Sequence, residues 1–185
     1  MPVIIETIVT TLSARGVPHI APLGLIADGA RWIIAPFRPS ATLDNLRARP
    51  FAVANYTDDV RIFAGCLTGR REWPLADSGG PVPRLEAALA HAQLRVAHVE
   101  EHVARPRFHC DVVASHAHAP FAGFNRAKGA VLELAILASR LHMLPREKVE
   151  AEIAYLEIAM AKTAGAAELE AWGWLMAKVK GFYGP

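Results

Sequence analysis

The segment Phe37-Arg38-Pro39-Ser40-Ala41-Thr42-Leu43-Asp44-Asn45-Leu46 carries the most suggestive chemistry of the chain. Two hydroxyls two residues apart, a guanidinium and the unsatisfied N–H groups of a helix start would converge on one spot, the donor set an anionic phosphate needs. The same residues also read as an ordinary helix start, with Ser40 as cap and Thr42 in the first turn. Arg126 and Lys128 open a later helix, where the dipole favours an anion, and read equally as two solvated cations. The eight histidines invite a metal. His116-x-His118 has the strand spacing for one face, which His109 could join, whereas His98 and His102 share a face but lie too far apart for one ion. No HExxH or Cys/His cluster accompanies them, so solvated strand histidines and no metal are expected. There is no P-loop, no GxGxxG after a strand and no GxSxG elbow. None of Ser13, Ser40, Ser78, Ser115 and Ser139 sits in a nucleophile context, and no catalytic residue is assigned.

Two differently patterned regions must position these groups. Up to His118 the apolar residues come in short β-branched runs broken by Gly, Pro and Asp. Strands are expected at 3–11, 20–26, 31–37, 51–56 and 61–63, with a hairpin turn at Asp28-Gly29. Short helices are expected at 41–48 and 85–92, and a loop at 77–83. Two long strands at 94–103 and 107–115 turn at Arg105-Pro106. From Asn125 the period becomes helical. One stripe is Val131, Leu134, Leu137, Ala138 and Leu141; a second is Val149, Ile153, Leu156 and Met160. Leu169, Trp172, Leu175, Met176 and Val179 make a third, with breaks at Pro145 and Gly165. The chain reads as α+β, mainly antiparallel β: a closed or split barrel over 1–120 and a three-helix region over 121–185.

Five short motifs then occur in order: Glu6 to Thr11 (ETIVTT), Pro18 to Gly24 (PHIAPLG), Phe37-x-x-Ser40-x-Thr42-x-x-Asn45-Leu46, Ala54 to Asp59 (ANYTDD), and Phe124-Asn125-Arg126-Ala127. Together they resemble a family of uncharacterised flavin-binding split-barrel proteins found in methanogens and in methylotrophs that use tetrahydromethanopterin. That family is related to the pyridoxamine-phosphate-oxidase-like barrels. The resemblance implies an FMN-binding split barrel that dimerises, with flavin in a groove between subunits. It places Ser40 and Thr42, with Arg38 nearby, at the phosphate. Ala21, Pro22, Leu23 and Gly24 match the strand along the isoalloxazine, with Thr10 and Thr11 on its neighbour and Asn55 and Thr57 on another. Thr42 stands where related barrels often carry a Lys, so the missing charge must come from Arg38, Arg126, Lys128 or the partner subunit. Pro22, Leu23 and Phe37 would give the ring an apolar surface.

Composition sets the outer bounds. Over 185 residues, 20 Lys+Arg against 18 Asp+Glu leave +2, which argues against a nucleic-acid stripe. Hydrophobic residues reach 52%, far too many for a disordered chain and enough for a dimer interface as well as a core. Two cysteines make no disulfide framework, the N-terminus lacks a basic n-region, and no run is long enough to span a membrane. A cytoplasmic protein is expected. The leading expectation is an FMN-binding homodimer with redox chemistry toward a small-molecule or nicotinamide substrate. A non-catalytic flavin carrier or sensor, and a ligand-binding barrel without flavin, stay open beside it.

Overall fold

Runs of β-branched residues bounded by turn formers leave the backbone no better option than strands, and six of these strands close on one another. The computed structural model describes residues 2–184, so positions 1 and 185, at the outer ends of the two expected regions, lie outside the described residues. The elements in chain order are β1 (Ile4–Leu12), β2 (Pro18–Asp28), β3 (Arg31–Ile34), α1 (Ala41–Ala48), β4 (Phe51–Tyr56) and α2 (Val60–Leu67). After them come β5 (Leu75–Ala76), β6 (Arg84–Leu85), β7 (Ala90–Glu100), β8 (Arg107–Ala117), α3 (Arg126–Ser139), α4 (Arg146–Thr163) and α5 (Ala166–Tyr183). The barrel order is β1-β2-β3-β8-β7-β4, antiparallel throughout, and β4 pairs back onto β1, leaving no free edge. The β2–β3 turn is two residues long, between the partners Asp28 and Arg31, and Gly29 supplies its positive φ of 62°.

Alternation decides which side chains face inward. Val9, Leu25, Ile34, Ala52, Ala54, Ala92, Leu94, Phe108 and Cys110 fill the barrel, joined by Leu43 and Leu46 of α1. The outward face of β1 and β4 is also buried: Leu12 and Val53 pack against Val82 from the segment between β5 and β7.

The chain divides into two compact units, one of residues up to 57 with 73–120, the other of 58–72 with the residues from 121 onward. In the helical unit, α3, α4 and α5 bury the expected stripes, with Val131, Leu134, Val149, Ile153, Leu175 and Val179 at the centre. Leu169 departs from its stripe and is exposed. Pro145 is the N-cap residue of α4, one position before the expected first turn.

Two local expectations fail. Residues 61–63 are not a strand but the first half of α2, which Asp59 caps by accepting from the Arg61 N–H. An eight-residue apolar run suits either element by length, and burial of Val60 and Ala64 against the other helices decides for the helix. Residues 85–92 are not a helix: β6 ends at Leu85 and β7 begins at Ala90. Pairing of β7 with both β4 and β8 overrides the alanine-rich helix propensity. His98 lies on β7 as expected, but His102 lies in the β7–β8 turn.

Candidate functional site

The turn that precedes α1 is built by local capping and propped from the far end of the β7–β8 hairpin. Ser40 has extended backbone, φ −160° and ψ 150°, and its Oγ accepts from the Leu43 N–H at 3.3 Å, satisfying one orphan donor of the helix start. The Arg38 N–H donates to the Ala104 carbonyl at 2.9 Å. Arg105 donates through Nε and Nη2 to the Ala35 carbonyl at 3.0 and 2.7 Å, and its guanidinium lies 4.4 Å over the exposed ring of Phe37. Glu101 then holds two cations beside the turn: Arg38 Nη2 at 3.1 Å and Arg47 Nη2 at 2.7 Å. These pairs are solvent-exposed and add little stability; their effect is to keep two guanidiniums aimed at one place.

Behind the turn the polar groups are internal. Thr42 is buried, and Asn45 Nδ2 donates to Thr11 Oγ1 at 2.9 Å, tying α1 to β1. Thr10 and Asn55 are fully buried on the outward face. Asn55 Nδ2 donates to Thr10 Oγ1 at 3.0 Å and to the Ile8 carbonyl at 2.9 Å, and its Oδ1 accepts from the Leu85 N–H at 2.7 Å. Thr57 Oγ1 donates to the Ala87 carbonyl at 3.0 Å. Ala21, Pro22, Leu23 and Gly24 are half-buried on β2, opposite Val9, Ile8, Thr7 and Glu6, and the Leu23 carbonyl accepts from Thr7 Oγ1 at 2.9 Å. A Cβ on Gly24 would lie 2.8 Å from Ile4 Cγ2, so any larger residue here would make the Ile4 side chain shift. Arg126 is exposed at the first position of α3 in the helical unit, and Lys128 Nζ pairs with Asp58.

The structure thus brings Ser40, Thr42, Arg38 and Thr11 to one end of the barrel, and Thr10 and Asn55 to its outward face. Three participants escaped the sequence reading. Glu101 and Arg47 escaped it because their pairing crosses 54 positions, and His91 because only folding sets it beside His116 and His118. Among the described residues no group of three His, Cys, Asp or Glu stands so as to hold a metal ion. No described helix is long and apolar enough to cross a membrane. Burial pushes the Cys110 thiol up to about 12 and that of Cys66 up to about 11, which keeps both protonated and poor as nucleophiles. Burial also raises Tyr56, a rise reduced by its hydrogen bond with Trp32.

The donor set of the turn fits a phosphate. The Ser40 hydroxyl can still donate its proton, the first N–H groups of an eight-residue helix lack intrahelical acceptors, and Arg38 and Arg47 bring two full charges. Asp44, exposed in the first turn, opposes an anion at the same helix end, so the guanidiniums carry the attraction.

Residues 5–119 match the family model "Protein of unknown function (DUF447) N-terminal domain", and residues 125–177 match "Protein of unknown function (DUF447)". No curated protein matches the chain. Among solved structures, an FMN-bound protein of that family from Methanosarcina mazei is 22% identical with a TM-score of 0.81, over 96% of each chain. Flavoredoxin from Methanosarcina acetivorans is 14% identical with a TM-score of 0.53, over 64% of this chain and 69% of its own. The 2-nitrobenzoate 2-nitroreductase of Pseudomonas fluorescens is 20% identical with a TM-score of 0.52, over 64% and 66%. These likenesses establish the fold, the antiparallel barrel with appended helices.

Proposed function

The chain belongs to the DUF447 family of proteins of unknown function, and from that membership we propose that it is a redox flavoprotein that binds FMN with the phosphate at the Ser40 turn. The observation that carries the reading is the turn itself: a capped helix start with Arg38 and Arg47 gathered on Glu101, in a family with an FMN-bound member. In this reading the Ser40 hydroxyl and the first N–H groups of α1 orient the phosphate, and Arg38 and Arg47 neutralise it on leaving Glu101. Thr42 and the Asn45–Thr11 bond hold the helix start in place, while Thr10, Asn55 and Thr57 fix the strands behind it. Ala21 to Gly24 and the exposed ring of Phe37 offer the surface along which a flat isoalloxazine would lie. Bound flavin supplies the hydride and electron chemistry that no side chain here offers.

The barrel leaves Val3, Ile4, Phe37 and Val113 exposed, the surface a second copy would cover in a homodimer whose partner walls the flavin. Sedimentation should then give twice the 20.0 kDa chain mass.

The test is direct. Purified protein should be yellow, or quench the fluorescence of added FMN; a colourless protein that ignores FMN overturns the reading. Ser40→Ala with Thr42→Ala should weaken FMN affinity at least tenfold with the fold intact, about 1.4 kcal/mol. Unchanged affinity would move the phosphate elsewhere. Rapid-mixing reduction by NADH or NADPH distinguishes an oxidoreductase from a carrier, which would react with neither.

A further inference from the structure

The segment from Leu75 to Ala88 runs as a strap over the outward face of β1, β4 and β7. Its apolar anchor is Val82 on Leu12 and Val53, and the Leu85 N–H is fastened to Asn55 Oδ1. Its polar anchor is the Ser78 carbonyl, which accepts from Gln93 Nε2 at 2.6 Å and from His91 Nε2 at 3.2 Å. His91 is buried, 1% exposed, and its Nδ1 meets His118 Nε2 at 2.8 Å. The two rings are 4° apart in plane with centroids 5.0 Å apart, the geometry of coplanar imidazoles meeting nitrogen to nitrogen.

Directionality fixes the protons. A carbonyl can only accept, so His91 Nε2 carries hydrogen and, in the neutral ring, His91 Nδ1 is a lone pair. His118 Nε2 must then donate to it, leaving His118 Nδ1 as the next site of protonation. One added proton on that outer nitrogen is tolerated, because the His118 cation still donates to His91. A second sets two N–H groups against each other across 2.8 Å and breaks the bond that orients His91 on Ser78.

The charged groups around the pair all resist that second proton. His116 stacks on His91 with centroids 5.2 Å apart, and Arg84 of β6 acts on both rings. Asn55 and Gln93 beside His91 are neutral, and the strap's carboxylates, Asp77 and Glu86, are exposed. No carboxylate figures among the groups that shift either histidine. His91 lies at the start of the eleven-residue β7, and the far end of that strand leads to the hairpin turn whose Ala104 carbonyl accepts from the Arg38 N–H.

We propose that the strap is an acid-weakened latch, in which paired protonation of His91 and His118 turns His91 away from the Ser78 carbonyl, leaves Gln93 alone to hold it and loosens residues 75–88 on the barrel. Burial lowers the pKa of His91 by more than its hydrogen bond to the Ser78 carbonyl raises it, and the smaller lowering of both rings by Arg84 and His116 has the sign of burial. The docked strap therefore binds fewer protons than the free one. Its hold is full above the free-histidine value of about 6.5 and is lost as the pH falls below it.

Amide hydrogen exchange on the whole chain, corrected for intrinsic rates, reads the latch at the Leu85 N–H, which is bonded to Asn55 of the barrel. Between pH 7.5 and 5.0 its protection should fall at least tenfold, while Val9 and Ala54 in the barrel keep theirs. His91→Gln and, at an exposed position that cannot threaten folding, His118→Gln should each flatten the profile, because an amide can flip to accept and never charges. Equal protection at both pH values in the unmodified protein, or a fall that persists in His118→Gln, overturns the proposal.

Discussion

Asn55 shows how much one side chain can hold together. Its amide reaches β1 through the Ile8 carbonyl and Thr10 Oγ1, and its carbonyl oxygen secures Leu85 on β6, all away from water. Asn55→Leu keeps the volume but strands those partners, so a urea melt should show a loss of about 2–4 kcal/mol. The two thiols, Cys110 buried and Cys66 half-buried, make a second residue-level prediction. With Cys66 and Cys110 held near 11 and 12, a disulfide reagent at pH 8 should leave both untouched in the folded protein and label both once it is denatured. The Ser40 cap was legible in the sequence because its acceptor and donor are three residues apart. Asn55 was legible only through a family motif, since its structural partners lie 45, 47 and 30 positions away.

Elements follow the same division between local and distant causes. Helix α3 begins where Asn125 Oδ1 accepts from the Ala127 N–H, while its Nδ2 donates to the Thr163 carbonyl at the end of α4. Asn125→Ala removes both, and equilibrium unfolding should report a loss of about 1–2 kcal/mol. Amphipathic stripes long enough to repeat placed α3, α4 and α5 correctly, and turn chemistry placed the β2–β3 hairpin. The eight residues of α2 and the stretch before β7 misled because a short apolar or alanine-rich run satisfies two periods at once. Asp58-Asp59 before Val60 was the signal available for α2, an N-cap awaiting a helix.

At the scale of the whole molecule, the barrel core and the helical core share no residue. Leu134, fully buried in the helical unit, gives a clean probe: Leu134→Ala should cost about 2–5 kcal/mol. In native-state exchange the loss should concentrate in residues 58–72 and 121–184, with the barrel strands retaining their protection. By itself the sequence determined the alternation that makes strands, the stripes that make helices and the Ser40 cap, all of which depend on residues within a few positions of one another. Tertiary structure alone decided that Glu101 gathers Arg38 and Arg47, that residues 58–72 pack with the helices, and that His91 meets His118 under a strap. Those contacts depend on barrel closure, which brings distant positions within hydrogen-bonding reach at distances no local spacing encodes.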